Sequence, residues 1–386
     1  MKLIARDNYL RLLRRTLVDN PVCAVLGPRQ CGKTTLARQL AAHAGTAHIF
    51  DLETAQARAR LAEPELALAS LRGLIVIDEI QRMPALFTVL RPLADRPRNR
   101  ARFLVLGSAA PTLVRGVSES LAGRIGFVDL NGFTLDEVGA AQWNTLWLRG
   151  GFPRAYLARN AAASMAWRED FMRTILERDL PQLGIRIPAE TLRRFWLMLA
   201  HYHGQTWNGA ELARALGVSE HTVRHYLDVL AGAYLVRVLP PWFENLAKRQ
   251  SKSPKLFVRD SGLLHALLGI HTRAELEGHP KLGASWEGFA LEQVLAVTGQ
   301  QDAYSWRTHA GAELDLLLRR RGKRFGIEFK WSSAPVMTKS LHVALHDLQL
   351  TRAWIVHPGE LQFPVHAQVE ALPLRLVSQT LHKLAM

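Results

Sequence analysis

Cysteine is almost absent: the 386 residues hold two, Cys23 and Cys31. Two thiols cannot staple a secreted scaffold, and they leave almost no room for a cysteine-based zinc site. Long apolar runs are missing as well. The purely apolar stretches stop at about five to seven residues, far short of the ~20 needed to span a bilayer. The opening MKLIARDNYLRLLRR contains no apolar core of signal-peptide length. No internal repeat and no low-complexity tract interrupts the chain. Acidic residues are short too, with 34 Asp+Glu against 49 Lys+Arg, a net charge of +15. With 48% hydrophobic and 22% charged residues, a disordered or fibrous chain is excluded. These deficits predict a soluble cytoplasmic protein with no membrane partner. Its spread-out positive charge favours a polyanionic partner.

What is present begins with a phosphate loop. Val22-Cys23-Ala24-Val25-Leu26 is a short apolar run, which predicts a buried parallel strand. Gly27-Pro28-Arg29-Gln30-Cys31-Gly32-Lys33-Thr34 follows and fits G-x-x-x-x-G-K-[ST] at every fixed position. Thr35 and the residues after it have helical periodicity, so the motif sits between strand and helix. Glycines let backbone N–H groups converge on phosphate oxygens, and the helix N-terminus adds free donors. Gly27 through Thr35 are therefore the candidate nucleotide-binding residues. Lys33 would reach the β- and γ-phosphates, and Thr34 would supply a hydroxyl to Mg²⁺.

Leu74-Ile75-Val76-Ile77 is a second buried run and ends in Asp78-Glu79. Asp78 is the second candidate metal-holding residue. Glu79 is the candidate base that orients and deprotonates the attacking water, since an Asp-Glu pair suits hydrolysis. Further strands are expected at 47–50, 103–106 and 125–130, with helices between. That βαβ series predicts a parallel sheet with the ligand site at the carboxyl ends of its strands. ATP and Mg²⁺ are the expected cofactors.

The middle of the chain changes character after Gly150-Gly151-Phe152-Pro153. Residues 161–180 read as a helix. Asn208 and Ser219 are positioned to cap two helices separated by Gly217, and a strand is expected over 234–239. Helix, glycine turn, helix and strand form a winged helix-turn-helix pattern. Its second helix offers His221, Thr222 and Arg224 to nucleic acid, although such helices also serve as protein platforms.

The C-terminal third predicts a helix over 286–295 and strands at 303–306, 313–318 and 325–330. Arg319, Arg320, Arg321, Lys323 and Arg324 form a basic hairpin turn and are further nucleic-acid candidates. Alternation places Glu313 with Asp315, and Glu328 with Lys330, on one face of each strand. Asp315 and Glu328 are expected to face one another, with Lys330 beside them and Glu287 approaching from the helix. The plainer alternative is a half-exposed hairpin with alternating charges.

Three resemblances extend this reading. The first third resembles the AAA+ ATPases, which implies a γ-phosphate sensor at Ser108 and an arginine finger at Arg124. It also implies a helical lid in which Arg154 senses nucleotide, and a homo-oligomer, with a hexamer expected. Acid followed by E-x-K resembles the PD-(D/E)xK nuclease core, which implies an Mg²⁺ or Mn²⁺ site at Glu287, Asp315, Glu328 and Lys330. The fold is expected there without robust cleavage. The motifs Gly27–Thr34, Asp78-Glu79-Ile80-Gln81, Ser120-Leu-Ala-Gly-Arg124, Gly150–Pro153, Lys255-Leu-Phe-Val-Arg-Asp260-Ser-Gly262 and Glu313…Glu328-Phe-Lys330 together are similar to the bacterial and archaeal ATPases of the AAA_14 plus DUF4143 arrangement. The expected fold is α/β: an AAA+-like P-loop domain at 1–145, a helical lid plus winged helix at 146–250, and a nuclease-like domain at 251–386. The expected function is ATP hydrolysis coupled to nucleic-acid binding or remodelling, with DNA ahead of RNA. The alternative is an ATP-gated regulatory switch that binds a protein.

Overall fold

The computed structural model describes residues 4–96, 101–108, 121–243 and 252–385. Ser120 of the Ser120–Arg124 motif and the expected boundary at 250–251 lie outside the described residues. Two compact units are present: residues 1–132 with 232–234, and residues 133–231 with 235–386.

In the first unit, the described strands are β1 (Val22–Gly27), β2 (Ala47–Asp51), β3 (Gly73–Asp78), β4 (Ala101–Ser108) and β5 (Ile125–Asp129). They form one sheet in the order β2-β3-β4-β1-β5, and every described pairing in it is parallel. β1 and β3 are buried nearly throughout, as near-continuous apolar runs in a parallel sheet must be. The helix Asp7–Asp19 presents Leu10, Leu13 and Leu17 to one face. The helix Lys33–Ala42 adds Leu36, Ala37 and Leu40, and both pack on Cys23, Val25, Val76 and Leu104. Cys23 and Cys31 are free, buried thiols; burial alone pushes the Cys23 thiol up to about 12, so it is unreactive.

The second unit carries a three-stranded sheet and a six-stranded sheet among the described residues. The smaller one consists of β6 (Gln205–Thr206), β7 (Val236–Leu239) and β8 (Lys255–Val258), in the order β6-β8-β7. Asn208 caps the helix Gly209–Leu216 and Gly217 ends it in the left-handed region. Ser219 accepts from the Thr222 N–H at the start of the helix Glu220–Gly232. Where a single helix was expected over 161–180, an α-helix (Ala161–Thr174) passes into a π-turn (Ile175–Asp179).

β8 lies beyond the expected 250/251 boundary, yet it hydrogen-bonds to β6 and β7. Strand pairing therefore joins residues from both sides of the expected boundary in one sheet. The larger sheet has the order β13-β14-β12-β11-β10-β9. Its strands are β9 (Ala303–Arg307), β10 (Glu313–Arg320), β11 (Lys323–Phe329), β12 (Arg352–His357), β13 (Phe363–His366) and β14 (Val369–Pro373). β10 and β11 pair antiparallel with Arg320 opposite Lys323. Arg321 and Gly322 make the turn, both at positive φ, as a two-residue type I′ hairpin requires. Among the described residues no helix is long and apolar enough to cross a membrane.

Candidate functional site

In the first unit the carboxyl ends of β1 and β3 bring the phosphate loop to the acidic pair. Gly27 ends β1 where a Cβ would lie 2.0 Å from the Leu130 carbonyl oxygen, so no other residue fits. Gly32, at φ 100°, starts the helix Lys33–Ala42. Lys33 is buried, and its ammonium donates to the carbonyls of Gly27 (3.0 Å) and Pro28 (2.8 Å). Thr34 Oγ1 donates to Asp78 Oδ2 at 2.6 Å. The Glu79 N–H donates to Asp78 Oδ1 at 2.9 Å. Burial pushes the Asp78 carboxyl up, and the bonds from Thr34 and Glu79 oppose that shift. Glu79 itself sits in the left-handed region at φ 55°, and the Gln81 amide donates to its carboxylate.

One residue of this site escaped the sequence reading. Arg6 is buried and donates to the carbonyls of Cys31 (3.1 Å), Asn131 (3.1 Å) and Gly132 (3.0 Å). It ties the phosphate loop to the segment that follows β5. Cys31 contributes to the loop by its backbone only, since its thiol is turned to the Leu130 carbonyl at 3.4 Å.

Ser108 ends β4 in register with Gly27. Arg124 lies elsewhere. It precedes β5, whose first residue pairs with Val22, at the amino edge of the sheet. Five residues of strand separate that edge from Gly27, roughly 17 Å at ~3.3 Å per residue. There Arg124 is ion-paired to Asp95. The side-chain bond between them holds the Asp95 carboxyl below its ordinary range and raises the Arg124 guanidinium. Arg124 thus lies far from its own chain's phosphate loop.

A second constellation lies in the second unit. β10 and β11 place Asp315 beside Glu328, following the register Leu316 opposite Ile327. Both side chains are buried. Asp315 Oδ2 accepts the Phe329 N–H at 3.1 Å, and the Lys330 ammonium is ion-paired to Glu328 at 3.2 Å. Glu287 comes from the helix Leu282–Thr298. Between Glu287 and Asp315 sits a residue the sequence reading did not place here: the Lys255 ammonium, bonded to Glu287 and, at 3.0 Å, to Asp315 Oδ1. Burial opposes its charge, but Asp315 and Glu287 more than offset that and raise its pKa. Burial, followed by the Asp315 charge, pushes Glu287 up to about 8 and Glu328 up to about 7. Burial would also raise Asp315, but Lys255 and Lys330 outweigh it and hold that carboxyl below its ordinary range.

The nucleic-acid candidates are not equivalent. His221, Arg224, Arg319, Arg321 and Lys323 are exposed, and Thr222 and Arg324 are half-buried. Arg224 is ion-paired to Asp228 at 3.3 Å. Arg320 turns inward: its buried guanidinium donates to the carbonyls of Thr298, Gly299, Gln301 and Leu384. It ties down the end of the helix Leu282–Thr298 and is removed from the nucleic-acid candidates.

Known proteins bear directly on this arrangement. A family model described as an AAA domain matches residues 19–139. Two described as domains of unknown function match 140–274 (DUF8612) and 282–377 (DUF4143). Uncharacterized proteins of Mycobacterium tuberculosis and Mycobacterium bovis are each 54% identical over 371 residues, 96% of this chain and 84% of theirs. The chain belongs to the family of AAA-type ATPases that carry a C-terminal DUF4143 domain. A solved Walker-type ATPase of Pyrococcus abyssi is similar at 16% identity, covering 69% of this chain and 96% of that one at a TM-score of 0.49.

Two motifs of this AAA-type ATPase have a packing role. Asp260 accepts from the N–H groups of Gly151 (2.7 Å) and Leu263 (2.9 Å). A Cβ on Gly150 would lie 2.1 Å from Asp260 Oδ1, and one on Gly262 would lie 2.1 Å from the Arg149 carbonyl oxygen. Arg168 joins the knot by donating to the Gly262 carbonyl at 2.7 Å. Gly150–Pro153 and Asp260–Gly262 are therefore the two halves of one close backbone contact.

Proposed function

We propose that this chain hydrolyses ATP with Mg²⁺ and couples that hydrolysis to binding or remodelling nucleic acid, DNA ahead of RNA. The observation that carries the ATPase reading is the gathering of Lys33, Thr34, Asp78 and Glu79 at one end of a parallel sheet. The donors fit the cofactor: the Thr34 hydroxyl and Asp78 carboxylate are hard oxygen groups in direct contact. They would hold Mg²⁺, which neutralises phosphate charge when bound with the nucleotide. The loop N–H groups from Gly27 to Thr35 bind phosphate, and Lys33 adds its charge. Glu79 orients water and takes its proton on the carboxylate. Ser108 senses the γ-phosphate from the end of β4.

Arg124 acts in trans. Its position at the far edge of the sheet, away from its own phosphate loop, supports a closed homo-oligomer, with a hexamer proposed. The capped helix pair with β6, β7 and β8 supports a winged helix. The β10–β11 register supports a nuclease-like fold.

The nucleic-acid half rests on the net charge of +15 and on exposed Arg321 and Lys323 at the hairpin tip. It is tested by the ATPase rate with and without DNA or RNA at several salt concentrations. Stimulation that falls steeply with salt is expected, because phosphate contacts release counterions. A rate indifferent to both polymers overturns this half. A second reading, an ATP-gated switch that binds a protein, is favoured by one observation: the C-terminal acids already carry their own cations.

A further inference from the structure

We infer that Lys255 takes the place of a divalent cation in the C-terminal acid cluster, making it a self-neutralised site that neither binds Mg²⁺ or Mn²⁺ nor cleaves phosphodiesters.

The sequence suggests a metal site here, and the residues do not fit one. A hard cation needs free carboxylate oxygens converging on one point. Both Asp315 oxygens are occupied, one by Lys255 and the other by the Phe329 N–H. Glu287 Oε1 is bonded to the same ammonium. Lys330 lies 3.2 Å from Glu328 Oε2 as an ion pair, although that buried oxygen takes no hydrogen bond among the described residues. Among the described residues no group of three or more His, Cys, Asp or Glu is placed to hold a metal ion. An added divalent cation would also sit against two ammonium groups, and that repulsion opposes its entry.

Lys255 is held in place from two sides. It opens β8, the central strand of its sheet. The buried His203 accepts the Val258 N–H of β8 at 3.0 Å through Nδ1. Its Nε2 therefore carries the proton and donates to the Ala284 carbonyl at 3.1 Å. Ala284 lies on the helix that bears Glu287, so His203 clamps strand and helix together. Gly288 makes room for the clamp, since a Cβ there would lie 2.4 Å from His203 Nε2. Burial pushes the His203 imidazole down to about 3, so the clamp stays neutral at working pH. A cavity of about 360 Å³ opens beside Lys255, lined also by Tyr202, Gln205, Arg307 and Glu313. That cavity meets the cluster through Lys255, not through Glu287, Asp315 or Glu328.

This inference stands apart from the ATPase reading, because its test uses no nucleotide. Nucleotide-free full chain is titrated with Mn²⁺ and free Mn²⁺ is followed by electron paramagnetic resonance. Wild type and Asp315→Asn are expected to bind Mn²⁺ equally. Lys255→Met is expected to gain about one Mn²⁺ per chain, at least tenfold tighter than wild type, and Lys255→Met/Asp315→Asn to lose it. Wild-type binding abolished by Asp315→Asn overturns the inference, as does a folded Lys255→Met that gains no site. Should Lys255→Met not fold, wild type still decides. Supercoiled plasmid with Mn²⁺ is expected to stay intact, and nicking that Asp315→Asn abolishes overturns the inference.

Discussion

Thr34 Oγ1 and Asp78 Oδ2 lie 2.6 Å apart, although 44 residues separate them in the chain. The bond joins the first turn of the phosphate-loop helix to the end of β3. It also gives a buried carboxylate a donor it needs. Hydrogen bonds to charged groups contribute about 1.5–3 kcal/mol. Thr34→Ala is therefore expected to weaken Mg-ATP binding roughly 10- to 100-fold, while Thr34→Ser stays near wild type. Calorimetric titration with and without Mg²⁺ checks this, and equal losses in both variants would contradict it.

Gly27 and Gly45 separate packing need from mere composition. A Cβ at Gly27 meets the Leu130 carbonyl at 2.0 Å, whereas one at Gly45 meets nothing within 4 Å. Gly27→Ala is expected to cost about 1–3 kcal/mol through overpacking and to abolish nucleotide binding. Gly45→Ala is expected to change neither. Thermal melts and nucleotide titration of the two variants decide this, and equal Tm values would contradict it.

Arg124 is expected to serve a neighbour's nucleotide. Arg124→Ala and Lys33→Ala proteins, each inactive alone, should regain part of the ATPase rate when mixed, because intact loops then meet intact fingers. No gain at any mixing ratio, or full turnover by a strict monomer, would contradict this role.

Glu287 supplies a pH prediction. Its folded pKa of about 8 lies above the ordinary 4.5, so the folded state keeps a proton that the unfolded chain releases. That contribution to stability is complete below about pH 4.5 and is lost as pH rises toward 8. Wild type should lose Tm across this window more steeply than Glu287→Gln. Parallel Tm–pH curves for the two proteins would contradict it.

The phosphate loop was legible because its residues are contiguous and their spacing is set by phosphate geometry. Asp78 and Glu79 were legible because they end an apolar strand. Asp315 and Glu328 could be placed together because a hairpin keeps partners close in sequence and alternation fixes their face. Lys255 was not placed with them. It stands 60 residues from Asp315, in a strand that pairs in another sheet. Its one local sign is a lysine opening the buried run Leu256-Phe257-Val258. Arg6 had a weaker sign still, a single arginine before an amphipathic helix. Arg320 misled, because neighbouring cations in a hairpin alternate faces and one of them turned to orphan carbonyls at a helix end.

ATP turnover by Glu79→Gln and Lys33→Ala beside wild type tests the central claim most directly. Wild type should hydrolyse ATP in an Mg²⁺-dependent manner. Glu79→Gln should bind nucleotide normally and lose ~10²–10⁴-fold in kcat, the usual cost of removing a general base. Lys33→Ala should lose binding as well. A wild-type protein that neither binds nor turns over ATP, with or without DNA or RNA, would contradict the account.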